Sequence, residues 1–216
     1  MRKQISHLTQ SILSENEIAL ANRLYYLIKQ RKMTKSWALL EQILPKFWRE
    51  EKNSLRTLWP DGVYRTLYYL DEPYDFVRNP RHMIVLMGNH LEGLLEHLMD
   101  IHGRPLGGLI TAFSKTGDSR LTTSLREFNK IYVRAKHPSA DPFLEKRLDR
   151  RTFSTREAIF CLIIMRHLSI QLFDLLRENG KPLEEGWKPI DPEWLSWDRE
   201  EPISPARGVI SLREHK

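Results

Sequence analysis

Helical periodicity, with no convincing strand alternation anywhere, most limits what this chain can fold into. Apolar residues recur at the roughly 3.6-residue period of a helix, so each stretch presents a stripe that needs a partner surface. Two capping boxes mark where such stretches open. Ser14 with Glu17 starts a helix that runs through Leu27 and Ile28 to about Lys32. Ser154 with Glu157 starts REAIFCLIIMRHLSIQLFDLLRE, the most apolar helix of the chain, which ends at Gly180.

Between these two, a stretch from Thr34 carries Trp37, Leu40, Ile43 and Leu44 until Pro45 kinks or breaks it. LRTLWPDGVYRTLYYLDEPYDFVRNP is aromatic and turn-rich, punctuated by Pro60, Gly62, Pro73 and Pro80, with a short helix expected around 64–70. MIVLMGNHLEGLLEHLMDIHG predicts a helix over about 82–101 with Gly103 as its cap. GGLITAFSK predicts a short one over about 107–115, and SRLTTSLREFNKIYVRAKH one over about 119–136 that Pro138 stops. The expectation is an all-α bundle of about five to seven helices in residues 1–180. Residues 181–216 hold five prolines together with Trp187, Trp194 and Trp197, a composition that predicts an extended tail lying across the bundle or across a partner chain.

An apolar fraction of 41% and a charged fraction of 29% belong to an ordinary globular protein. No uninterrupted apolar run approaches the about 18 residues that would suggest a membrane span, and MRKQISHLTQ lacks the apolar core of a signal peptide. Cys161 sits inside AIFCLIIM and reads as a small core residue, so the expected setting is cytoplasmic and reduced, without membrane association.

The net charge of +6 is unevenly distributed. Between Lys130 and Arg156 stand Lys130, Arg134, Lys136, Lys146, Arg147, Arg150, Arg151 and Arg156, against only Asp141, Glu145 and Asp149. Concentrated positive charge attracts phosphates, and Lys130, Lys136, Lys146, Arg147, Arg150, Arg151 and Arg156 are the candidate nucleic-acid contacts. Solvated loops are charged too, so the same residues also suit a plain surface. Cations at a helix C-terminus are favoured by the macrodipole as well, which gives Arg134, Lys136 and His137 a structural reason to end their helix.

Two polar residues interrupt apolar stripes. His90 lies in the stripe of Met83, Met87, Leu94 and Ile101, and Arg166 lies near the centre of Ile159, Ile163, Ile170 and Phe173. An arginine aimed into a core needs an acceptor, with Glu92, Glu96 and Asn129 as candidates. A buried polar cluster of His90, Asn129 and Arg166 is therefore expected, either as a satisfied structural group or as part of a cleft shared with His137. His90, His97 and His102 are spaced seven and five apart, and His90 and His97 are separated by roughly 10 Å along a helix, too far to share one ion. No phosphate loop, HExxH, paired CxxC or serine elbow is present, so neither metal nor cofactor is expected.

A helix ending near GRPLG, then LREFNKIYVRAKH, a polar loop and a long apolar helix opening FSTREAIF together resemble bundles of the HEPN (higher eukaryotes and prokaryotes nucleotide-binding) superfamily over about residues 80–178. The resemblance implies a four- or five-helix bundle, often dimeric, linked with RNA cleavage, toxin–antitoxin systems or phage defence. Catalytic members carry an Arg followed after four to six residues by His. Here Arg134 and His137 are separated by two residues, Arg166 adjoins His167, and Arg78 and His82 have three between them. Only Arg2 and His7, at the N-terminus, have the family's spacing, so no active site transfers by motif.

The leading expectation is a non-catalytic bundle that binds RNA, a nucleotide or another phosphate-bearing ligand through the basic segment, as a homodimer or within a larger complex. A second is a metal-independent ribonuclease in which His137 takes the 2′-hydroxyl proton and Arg134 steadies the phosphorane. A third is a purely structural subunit.

Overall fold

The computed structural model describes residues 2–44, 66–67, 69–137, 153–181, 187 and 189–195, and every regular element among them is helical. In chain order these are α1 (Arg2–Ile12), α2 (Glu15–Lys29), α3 (Met33–Ile43), α4 (Pro73–Arg78), α5 (Pro80–Met99), α6 (Leu106–Phe113), α7 (Ser119–Lys136), α8 (Thr155–Glu178) and the single turn α9 (Pro192–Leu195). The all-α bundle expected from periodicity is what forms.

Helix α8 is its axis. From Ala158 to Ser169 every residue but His167 is buried, because a helix apolar nearly all round must be covered on all sides. Its most extensive packing is against α5, with α2 and α1 on other sides. By length and composition it could cross a bilayer, but 72% of that apolar window is buried inside the bundle, where a core helix hides the same surface. Cys161 is wholly buried there, and burial pushes its thiol pKa upward, away from nucleophilic use.

Helix α7 approaches α5 at Gly88. A Cβ at that position would lie 2.0 Å from Cδ2 of Tyr132, so only glycine admits the ring. The Tyr132 hydroxyl then donates to Asn89 Oδ1 at 2.7 Å.

Both capping boxes form. Ser14 N and Ser154 N donate to Glu17 and Glu157 at 2.8 and 2.7 Å, and each serine hydroxyl accepts from the corresponding glutamate amide. Helix α1 was not expected, although Ile5 and Leu8 supply its buried face. Pro73 and Pro80 begin α4 and α5 instead of interrupting the chain, as the first helical position needs no amide hydrogen. Asp100, left-handed at φ 55°, ends α5 in place of Gly103. Gly103 N instead donates to Glu96 at 2.8 Å, and Leu106 N donates to Glu92 at 2.8 Å, so these acids fix the loop into α6.

Helix α2 closes with paired bonds, Arg31 N to Ile28 O at 3.0 Å and Lys32 N to Leu27 O at 2.9 Å. This 5→2 and 6→1 pattern is a Schellman turn, which places its αL residue at Arg31, with φ 55°, where glycine is usual. The described part of the tail packs on the bundle. Trp187 is 8% exposed and meets the edges of His90 (6.1 Å) and Phe173 (6.4 Å). Arg23 lies 5.1 Å over Trp194 and donates to its carbonyl at 2.6 Å.

Candidate functional site

Lys146, Arg147, Arg150 and Arg151 lie outside the described residues. The remaining cations of the basic segment divide among separate partners. Lys130 pairs with Glu127 one turn earlier. Lys136 Nζ donates to the Tyr132 hydroxyl at 2.7 Å and lies 5.1 Å over its ring, and that hydrogen bond holds the ammonium pKa above its usual value. Arg134 donates to Gln4 of α1 at 3.0 Å. His137 is the exposed C-cap of α7, its amide bonded to Val133 O. Among the described residues no hydrogen bond or ion pair joins Arg134 to His137.

His90 and Arg166 both reach Trp187, but not as the expected cluster with Asn129. His90 is fully buried, with Nε2 3.0 Å from Ser169 Oγ. Arg166, 6% exposed, donates from Nε to the Ile43 carbonyl at 3.1 Å and lies 5.9 Å from the Trp187 ring. Burial lowers its pKa, partly offset by the charge of Glu17. One acceptor is thus a helix-end carbonyl, and among the described residues no bond from Arg166 to Glu92, Glu96 or Asn129 forms. Asn129 sits elsewhere, its amide against Gly107 of α6, and exposed His137 is no part of this cluster. The His90–Arg166–Trp187 group is a core joint.

A different place gathers functional chemistry. An open groove of about 1020 Å³ runs between α1, α2, α4 and the start of α8. Its apolar lining includes Ile5, Ile28, Tyr25, Tyr74, Val77 and Phe160, and Tyr74 and Val77 are about half exposed. Around it stand Lys29, Arg31, Arg78 and Arg156, all exposed. None of the four forms an ion pair among the described residues, whereas Glu157, the lining's sole carboxylate, has Oε2 tied to Ser154. Two of the cations are held against rings: Arg78 lies 5.6 Å over Tyr74, and Arg156 lies 5.5 Å over Phe160 while donating to Asn22 at 3.3 Å. A guanidinium parked on an aromatic face keeps outward donors for a ligand.

Two further features mark this groove. Thr9, 6% exposed, lines it, and its hydroxyl has no hydrogen-bond partner among the described residues, a deficit of about 1–3 kcal/mol in a buried group. At the start of α8 the box satisfies the amides of Ser154 and Glu157, leaving those of Thr155 and Arg156 without partners among the described residues. Sequence reasoning found only Arg156 of the four cations, because Lys29, Arg31 and Arg78 come from distant segments.

A smaller depression of about 400 Å³ lies between the end of α1, the start of α7 and the C-terminal half of α8. His167 on its wall places Nδ1 3.0 Å from Glu17 Oε1 and Nε2 2.7 Å from Gln171 Nε2. Both bonds are satisfied with the proton on Nδ1, donating to the carboxylate, and Nε2 accepting from the amide. Burial pushes the Glu17 pKa up, but hydrogen bonds from His167 and Ser14 outweigh it and leave the pKa lowered. No group of three or more His, Cys, Asp or Glu among the described residues is arranged to hold a metal ion. Compared with known protein families, curated proteins and solved structures, the chain matches none.

Proposed function

We propose that this protein is a non-catalytic binding module whose α1/α2/α4/α8 groove takes a phosphate-bearing ligand, with single-stranded RNA as the class it fits. The observation that carries the reading is the set of Lys29, Arg31, Arg78 and Arg156, grouped round one groove without carboxylate partners among the described residues. Like charges gathered without counter-ions repel one another, and a polyanion relieves that repulsion. Tyr25 and Tyr74 supply aromatic surface, and single-strand recognition combines a basic track with such platforms. Arg156 belongs to both the groove and the basic segment 130–156.

The test is fluorescence anisotropy with labelled single-stranded RNA across a salt series. Arg78→Ala with Arg156→Ala should weaken binding and flatten the salt slope by about 1.4, near 0.7 per lost phosphate contact. An unchanged slope removes the groove as the binding surface. The same titration on Arg147→Ala/Arg150→Ala/Arg151→Ala asks whether the basic segment shares the load, and an unchanged slope there confines binding to the groove.

A further inference from the structure

Resting on that reading, we infer that the α8 end of the groove is a subsite for a terminal phosphate, so that the preferred ligand is a phosphorylated strand end or a free nucleotide. The amides of Thr155 and Arg156 open a helix of 24 residues, lack partners among the described residues, and belong to residues that line the groove. Such amides, at the positive end of a helix dipole, suit an anion. The Arg156 guanidinium lines the same groove, held over Phe160 and by Asn22. A phosphate monoester carries up to two negative charges and three terminal oxygens, against one charge and two free oxygens for an internal phosphodiester. The monoester therefore makes fuller use of two amides plus a guanidinium.

The rest of the groove fits what a terminal phosphate brings with it. A cavity of about 1020 Å³ is at the upper end of small-ligand size, room for one or two nucleotides and not for a duplex. Tyr25 and Tyr74 offer faces for a base. The Thr9 hydroxyl, buried in the lining of the same groove and unpartnered among the described residues, is a second, independent pointer to a polar ligand group. Glu157 is the one opposing charge in the lining among the described residues. Its hydrogen bonds from the Ser154 amide and hydroxyl hold it in the capping box.

The subsite can be tested without disturbing the fold, because its donors are backbone groups at a position that tolerates proline. Thr155 is the first residue of α8, and Ser154 before it is extended at φ −80° and ψ 157°, as a residue preceding proline must be. Thr155→Pro deletes one amide donor and leaves the box intact, while Thr155→Ala removes the side chain and keeps the amide. Competition anisotropy on the full chain would compare one RNA octamer bearing a 5′-phosphate, a 3′-phosphate or hydroxyls at both ends, with adenosine monophosphate and inorganic phosphate as further competitors. We expect one phosphorylated end to bind roughly tenfold more tightly than the hydroxyl form, the scale of one or two charge-assisted hydrogen bonds. Thr155→Pro and Arg156→Ala should remove most of that preference, and Thr155→Ala should keep it. Equal affinity for all three octamers overturns the subsite yet leaves the groove reading standing. A preference that survives Thr155→Pro in a folded variant also overturns it. Loss of every RNA interaction removes the groove reading, and the subsite with it.

Discussion

Replacing Arg31 with glycine should make the protein more stable and a poorer ligand binder at once. Arg31 occupies the left-handed position of the Schellman turn that ends α2, at φ 55°. An L-residue there costs roughly 1–2 kcal/mol from the contact between Cβ and backbone. Glycine escapes that contact but loses more backbone entropy on folding, roughly 0.5–1 kcal/mol. The net is a gain of about 0.5–1 kcal/mol, or a melting temperature higher by about 1–4 °C for a chain of this size. The same substitution removes one of four groove cations, and the salt slope of RNA binding should fall by about 0.7. Urea and thermal denaturation read the first effect, and anisotropy across a salt series reads the second. Arg31→Gln keeps the strained turn and removes the charge, so it should lower the slope without the stability gain. A glycine variant no more stable than the parent refutes the argument from the turn, and an unchanged slope refutes Arg31 as a phosphate contact.

Gly88→Ala drives a methyl into the Tyr132 ring at the closest approach of α5 and α7. The expected loss is about 1–3 kcal/mol or more, seen as a lower urea midpoint, and a variant of parental stability would mean the helices separate freely there. Glu17 has a lowered pKa, so its bonds to Ser14 and His167 stabilise the fold fully above its unfolded value of about 4.3. That stabilisation is lost as pH falls through the folded value. Glu17→Gln should therefore be less stable than the parent at pH 7 and show a flatter decline in stability below about pH 5, measured by urea unfolding at several pH values; parallel curves would refute the assignment.

What the sequence revealed and what it concealed divide by distance along the chain. Ser14–Glu17, Ser154–Glu157 and the boundaries of α7 were legible because each rests on contacts within one helical turn. Pro73 and Pro80 misled because proline excludes the interior of a helix yet favours its first position, and only the surrounding chain decides which applies. Helix α1 carries its apolar residues sparsely and gains its order from packing on α7 and α8. The backbone partner of Arg166 at Ile43 was out of reach for another reason. Candidate acids can be picked by side-chain chemistry, whereas the Ile43 carbonyl is an anonymous backbone group 123 residues away. The groove escaped similarly, since charge counted along the chain finds Arg156 but not the three cations that folding places beside it.

The guanidinium of Arg166 touches a carbonyl from the end of α3 and an indole from beyond α8. On the ribosome the first of these partners is made well before the second, since Trp187 is synthesised after every longer helix among the described residues. Until that indole emerges, the middle of α8 lacks the ring that Arg166 lies over. That side of the bundle is therefore completed only once the segment after α8 is made.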